Sequence, residues 1–406
     1  MSAYHPLTEL EAVEIARGID GFFPEGASLG CREIGDGNLN LVFHISDSAS
    51  GKSLIMKQAL PYAKVVGESW PLTLDRARIE SEKLMLEGQL APGLVPVVYK
   101  YDPDLYLTVM EDLSDHIIMR QGLINRTEYP LFADHISTFM ARTLFFTSDL
   151  GMNQQEKKLQ VKAFINPELC KITEDLIFDD PYTDSPNNNI PEAIKDAAAA
   201  LRSDGPLQLE VAILREKFLT NAQALLHGDL HTGSVFATPA STKIIDPEFA
   251  FYGPIGFDVG AILANLLLNY AGQEHWSADE SSRNDYRNYL LQTIEEVWNG
   301  FESKFRALWN EHGSDRIASA APGYQDYYMK RLLQDSIGFA GCKMVRRIVG
   351  LAHVADIDRI TNDSERERAQ RLALQIGTGL ITLNRSAQSI KELAQIVEQA
   401  VKPLQN

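Results

Sequence analysis

Two short runs concentrate carboxylates of different chemical promise, Leu226-His227-Gly228-Asp229-Leu230-His231-Thr232-Gly233-Ser234 and Ile245-Asp246-Pro247-Glu248. Phosphoryl transfer needs such a division of labour. One carboxylate orients or deprotonates the acceptor hydroxyl, and others hold the Mg²⁺ that neutralises the phosphates. Residues 234–237 and 243–245 read as a loop followed by a short strand, which presents both sets at one end of a cleft. Taken singly, His-Gly-Asp-Leu is an ordinary turn and Asp-Pro-Glu an ordinary helix start. Their order and spacing make phosphoryl transfer the stronger reading.

The two runs resemble the catalytic and metal loops of aminoglycoside phosphotransferases and choline kinases, which share the protein-kinase-like fold. They are still more similar to those of the methylthioribose kinases. The loop ends in Ser234 where most kinase-like relatives have Asn, and the metal segment reads Asp246-Pro247-Glu248 in place of Asp-Phe-Gly. The resemblance implies that Asp229 is the catalytic aspartate at the acceptor, that Asp246 and Glu248 ligate Mg²⁺ beside Pro247, and that Asp258 braces the catalytic loop. Ser234 is a poor metal ligand, because a neutral hydroxyl binds magnesium more weakly than a carboxylate. His227 and His231 fit packing or hydrogen-bonding roles that hold Asp229.

Upstream, Ile34-Gly35-Asp36-Gly37-Asn38-Leu39-Asn40 lies between β-prone segments. Gly35 and Gly37 permit a tight hairpin and close approach of backbone amides to phosphate, with Asn40 beside them. The same residues also make a plain turn, and neither they nor Gly51-Lys52-Ser53 form a Walker A sequence. By resemblance Lys57 contacts the α- and β-phosphates of ATP, and Glu80 or Glu82 is its partner, with Glu80 favoured by its spacing to Leu84. Glu111, Asp112 and Leu113 end a strand where the resemblance places the hinge that pairs with adenine. The pair Arg346 and Arg347 lies on an otherwise apolar helix, where the family places arginines near the acceptor and the transferring phosphate; a guanidinium is permanently charged and forked for phosphoryl oxygens or vicinal hydroxyls. The Trp70 segment, 67–74, resembles a mobile loop of the methylthioribose kinases. Each of these is also compatible with an ordinary solvated or packed residue.

With 406 residues, of which 45% are hydrophobic, the chain can bury a sizeable core in two or three lobes. Its 38 basic and 55 acidic residues give a net charge of −17, which argues against nucleic acid and anionic membranes as partners. The three cysteines, Cys31, Cys170 and Cys342, have neither disulfide-framework nor zinc spacing, and the amino-terminal residues carry no signal-peptide pattern. A cytoplasmic protein is expected, and the resemblance implies a homodimer.

Thr8 and Glu11 have capping-box spacing before an apolar periodic stretch, so a helix opens the pattern. Segments 31–45, 54–58, 97–101 and 105–110 read as strands around a helix at 78–90. Helices are expected near 130–147, 208–226, 257–271, 283–311, 323–350 and 366–401, with a polar loop at 178–206. The expected class is α+β, a protein-kinase-like bilobal fold. Residues 1–112 would form a small antiparallel β lobe with the Gly-rich turn, the lysine and the hinge. Residues 113–406 would form a large helical lobe with the catalytic loop, metal loop and acceptor site. The resemblance implies ATP-dependent phosphorylation of 5-methylthioribose on its C1 hydroxyl, a step of methionine salvage. Alternatives are a kinase for choline, homoserine or an aminoglycoside, and a catalytically silent nucleotide-binding protein.

Overall fold

The computed structural model describes residues 4–35, 39–63 and 67–401. Gly37 and the side chain of Trp70 lie outside the described residues. The chain divides into two compact units, one of Met1–His116 with Lys243–Ala250 and the other of Ile117–Thr242 with Phe251–Asn406.

In the first unit, five antiparallel strands pair in the order Leu29–Glu33, Asn40–Asp47, Ser53–Ala59, Leu107–Glu111, Val98–Asp102. Alternation puts Phe43, Ile45, Leu54, Met56, Leu107 and Val109 on one face, where they pack with Ala12 and Ala16 of the Glu9–Arg17 helix. That helix opens with the expected capping box of Thr8 and Glu11. Lys57 alternates with Met56 and so faces the other side, toward the Arg76–Leu90 helix with its buried Ile79, Glu80 and Leu84. Residues 67–71 form a strand, Gly67–Pro71, paired antiparallel with Tyr62–Ala63.

A boundary at 112/113 does not anticipate that Lys243–Ala250 groups with the first unit. The reason is local bonding: the Ile244 amide donates to the Leu94 carbonyl at 2.8 Å, and Lys243 Nζ reaches Glu111 Oε2 at 3.0 Å.

The second unit is mainly helical. Its centre is the Gly256–Trp276 helix, buried from Gly256 through Gln273, as expected for a helix apolar all round. The Tyr324–Val349 helix lies against it, and Phe132–Phe146, Glu280–His312 and Asp363–Leu383 complete the packing. Short helices Met119–Ile124, Gln154–Ala163 and Pro167–Glu174 were not expected from the sequence.

Three expectations need correction. The 178–206 segment is not one loop, because Lys195–Ser203 is a helix built on an Ala-rich run. The expected 208–226 helix starts earlier and ends at Thr220, and Ala224–Leu225 instead pairs as a strand with Tyr252–Gly253. The final helix breaks after Leu383, where a turn at Asn384–Ser386 is held by Asn384 Nδ2 and Arg385 Nε on Glu210, and resumes at Lys391–Val401.

Gly260 sets the closeness of the two central helices. A Cβ there would stand 2.6 Å from the Ser336 carbonyl oxygen and 2.9 Å from the Ala340 nitrogen, both backbone atoms that cannot swing aside. Gly260→Ala is expected to destabilise the protein by about 1–3 kcal/mol, the usual range for forced overpacking, read as a lowered midpoint in chemical denaturation. An unchanged midpoint would show that the helices separate freely.

Candidate active site

The first constellation lies in the β-rich unit. Lys57 Nζ meets Glu80 Oε1 at 2.8 Å and Asp246 Oδ1 at 2.6 Å. Of the two candidate partners it is Glu80, 2% exposed, that faces the lysine; Glu82 is taken by Arg78 at 2.8 Å. Burial by itself lowers the Lys57 ammonium, but Asp246, Glu80 and Glu248 more than offset it and hold it above the ordinary lysine range. Enclosure pushes Glu80 up to about 7, reinforced by Asp246 and Glu248 and opposed by Lys57. One shift asks for a charged lysine and the other for a protonated acid. The 2.8 Å contact to a lysine that stays charged decides for the carboxylate at neutral pH.

Asp246 adopts a left-handed conformation (φ 62°, ψ 47°) just past the Ser241–Ile244 strand, and Pro247–Phe249 follows as a single 3₁₀ turn. Asp tolerates this region better than most residues, so the kink costs little. The turn places Glu248 beside Arg76, a residue the sequence reading missed. Arg76 is 0% exposed. Its Nε donates to Glu248 Oε2 at 3.2 Å, its Nη1 to the carbonyls of Leu60 and Thr73 at 2.9 Å each, and its Nη2 to the Leu39 carbonyl and to Asn40 Oδ1. Asn40 Nδ2 also approaches Glu248 Oε2 at 3.5 Å. Arg76 therefore ties Leu39 and Asn40, which follow the Gly-rich run in sequence, to the Asp-Pro-Glu segment. Gly35 has open space where a Cβ would stand.

Asp246, 44% exposed and engaged through Oδ1, fits the hard oxygen donor that Mg²⁺ takes. Glu248 supplies a second carboxylate, already oriented by Arg76. Among the described residues no group of three or more His, Cys, Asp or Glu side chains forms a cage. A magnesium site that shares its ligands with phosphates needs only one or two carboxylates, so the donor set fits.

At the expected hinge, the Glu111 amide donates to the Val97 carbonyl at 2.8 Å, and its carboxylate receives Lys243. Asp112 accepts from Ser53 Oγ at 2.6 Å and pairs with His44 at 3.1 Å. Their side chains thus serve the unit itself. Leu113 follows them, 7% exposed, and its carbonyl accepts from the His116 amide.

The second constellation lies in the helical unit. Gly228 takes φ 85°, a conformation that suits glycine, and lets the loop fold back on Asp258. Asp258 Oδ2 accepts from the His227 amide at 2.6 Å and Oδ1 from the Gly228 amide at 3.1 Å, so it braces the loop through both oxygens. The Asp229 amide donates to His227 Nδ1 at 3.3 Å, and Ser234 Oγ donates to the Asp229 carbonyl at 3.2 Å. His227 and Ser234 therefore shape the loop.

Around Asp229 the charges are cationic. Burial would raise its carboxyl, but His231, Lys343, Arg346 and Arg347 together hold it well below the usual carboxylate range. His231 stands 3.4 Å from Asp229 Oδ2. Burial pushes its imidazole well below the ordinary histidine range, against the pull of Asp229. A neutral ring offers no net charge, so the lysine and the two arginines answer Asp229. Burial, and repulsion among Arg120, Arg346 and Arg347, lower the two guanidiniums of the pair, yet arginine keeps its proton. Arg120, also missed from sequence, donates to Asn265 Oδ1 at 3.1 Å and stands 3.4 Å from Asp356. Both missed arginines sit in short runs that read as solvated helix charge, and only their enclosure distinguishes them.

The phosphotransferase enzyme family matches over residues 30–287. The methylthioribose kinase of Geobacillus sp. (strain WCH70) is 50% identical over 400 residues, covering 98% of this chain and 97% of the relative. That of Bacillus pumilus (strain SAFR-032) is 47% identical over 401 residues, covering 99% and 98%. Among solved structures, a choline kinase from Cryptosporidium parvum Iowa II aligns with 98% of this chain and 97% of its own at 11% identity, with a TM-score of 0.46.

Asp258→Asn tests the brace. A carboxamide keeps one acceptor oxygen and turns an N–H toward a backbone N–H, so the variant should lose about 2 kcal/mol in chemical denaturation. Unaltered stability would mean that the two amides have other acceptors.

Proposed function

This chain belongs to the methylthioribose kinases of the phosphotransferase enzyme family, and from that premise we propose that it transfers the γ-phosphoryl group of ATP to the C1 hydroxyl of 5-methylthioribose. The products would be the 1-phosphate and ADP, a step of methionine salvage. The observation that carries this reading is Asp229 on a loop that Asp258 braces through two backbone amides, with His231 3.4 Å from its carboxylate and Lys343, Arg346 and Arg347 as the cations that favour its ionised form.

The acceptor oxygen attacks the γ-phosphorus, the bond from that phosphorus to the β,γ-bridging oxygen breaks, and the acceptor proton passes to Asp229. A carboxylate of low basicity suits a late transfer, because it orients the hydroxyl first and takes the proton as the oxygen loses charge to phosphorus. Arg346 and Arg347 offer forked donors to the acceptor hydroxyls and the phosphoryl oxygens. Lys57, fixed by Glu80, is the cation for the α- and β-phosphates, and the Gly-rich run that begins at Gly35 would supply backbone amides. Glu111 to Leu113 would pair with adenine through backbone groups. Asp246, with Glu248, would hold Mg²⁺, whose charge neutralises the β- and γ-phosphates.

Three unpaired thiols, Cys31, Cys170 and Cys342, suit a reducing compartment, so we read the enzyme as cytoplasmic. The homodimer follows from the family resemblance and is checked by sedimentation. Residues 1–112 take the nucleotide role and 113–406 the acceptor role, with the Asp246 segment serving the former.

The test is coupled ADP release with Mg-ATP and 5-methylthioribose, choline, homoserine or an aminoglycoside in parallel. Turnover is expected with the thiosugar alone. Asp229→Ala should lower kcat by on the order of a thousandfold while leaving ATP affinity close to that of the parent. ATP binding without turnover on any of the four acceptors would sink the assignment.

A further inference from the structure

Lys343 is a buried cation that the reaction as written above does not use. It is 5% exposed, its Nζ lies 3.7 Å from the centroid of the Phe257 ring, and among the described residues it makes no hydrogen bond or ion pair. That is unusual for an ammonium with three donors, because an enclosed charge without acceptors is costly. Phe257 stabilises it through the ring face but supplies no counter-charge. Its spacing from Arg346 and Arg347 places all three on one face of the Tyr324–Val349 helix. The charged and titratable groups that act on it are Asp229 of the catalytic loop, Asp258 of the adjoining helix, and Arg346 and Arg347 of its own. Asp258 is already occupied by two backbone amides, which leaves Asp229, faced at 3.4 Å by the neutral His231 ring, as the anion still open to a cation.

We propose that Lys343 is a positioning residue for Asp229, whose enclosed ammonium supplies part of the cationic field that keeps the catalytic aspartate ionised and its carboxylate turned to the acceptor. This rests on the kinase reading given above. The geometry also makes the field responsive to pH. Burial, opposed by Asp229 and reinforced by Arg346, pulls Lys343 down to about 8, so it loses charge above about pH 8. Arg346 and Arg347 keep theirs, and the field is weakened rather than abolished.

The sign for stability follows from linkage. A lysine whose folded value is depressed is a burden while charged, so stability rises with pH between about 8 and the ordinary lysine value of 10.5. Replacing it by an apolar side chain removes that burden at pH 7, so a variant that folds better should work less well. A merely structural lysine would lose on both counts.

The experiment compares the parent with Lys343→Met and Lys343→Gln, two variants so that misfolding of one leaves the other informative. The parent should lose turnover above about pH 8. Both variants should lack that decline, show kcat reduced by about tenfold at pH 7, and show an acid limb raised by about one pH unit. Lys343→Met should melt at or above the parent temperature at pH 7, with the gap closing toward pH 10. Parent-like kcat and unchanged limbs in both variants overturn the proposal and leave Lys343 as packing for Phe257. Should the parent turn over no acceptor, the kinase reading fails. Carbon-13 titration of the Asp229 carboxylate then judges Lys343 separately: a rise in the variants supports it and no change overturns it.

Discussion

A protein that handles polyanions while carrying a net charge of −17 must gather its cations where the phosphates go and keep them charged there. Each unit holds a group of buried or half-buried basic residues. In the β-rich unit Lys57 and Arg76 are enclosed but fully answered by Glu80, Asp246, Glu248 and backbone carbonyls. In the helical unit the account is left unbalanced. Arg120, Lys343, Arg346 and Arg347 outnumber the anions that face them, because Asp258 is spent on two amides and Asp356 is shared with Asn269 at 2.8 Å. Unmatched buried charge is destabilising in an apo protein, and an incoming anion relieves it. The difference separates a constellation that is structurally self-sufficient from one that waits for its ligand.

That imbalance constrains the surrounding fold. Half-buried guanidiniums hold their positions only if the helix that carries them cannot shift, and the Tyr324–Val349 helix is clamped through glycines on both sides. Gly256 and Gly260 bring the central helix against Asp335, Ser336 and Ala340, and Gly341 brings the Asp363–Leu383 helix so close that a Cβ would lie 2.5 Å from the Gly377 carbonyl oxygen. Lys217 adds a salt bridge to Asp335 on the same helix. Close backbone packing of this kind tolerates little movement, which is what a site built from repelling charges requires.

The chemistry was legible in the sequence wherever the reaction itself demands a residue type in a short run. His227 to Ser234 and Asp246 to Glu248 stand out because the catalytic loop and metal segment proposed for them are each local in sequence. The strands around Lys57 were legible because alternation of Phe43, Ile45, Leu54 and Met56 has period two. Arg76, Arg120 and Lys343 were not, since a basic residue in a helix reads as solvated unless something says that it is enclosed. Lys343 did leave a trace: its immediate neighbours Phe339, Ala340, Cys342, Met344 and Val345 are apolar, and the residues that share its face at i+3 and i+4, Arg346 and Arg347, are cations that cannot neutralise it. The 195–203 helix was hidden by the Pro- and Asn-rich residues before it, although its alanines are strong helix formers. The break after Leu383 was hidden because an apolar period continues across it. What ends the helix is a long-range partner, Glu210, which receives Asn384 and Arg385.

The choice between Glu80 and Glu82 shows where sequence reasoning stops and packing begins. Two residues apart on a helix point to nearly opposite sides, so one of them must face the sheet and the other solvent. Propensity does not separate them. The separation comes from the register of Lys57 in its strand, which places its ammonium toward the helix and away from the Phe43 and Met56 core. Once Lys57 faces the helix, only a carboxylate on the same side can neutralise it, and Arg78 takes the other. The same logic fixes Glu248: the 3₁₀ turn after a left-handed Asp246 aims it at Arg76, which also holds Leu39 and Asn40. Substituting Asp-Pro-Glu for Asp-Phe-Gly therefore does more than add a second carboxylate. It gives that segment a salt-bridged tether to Leu39 and Asn40, so the two stretches are held in common by one buried guanidinium.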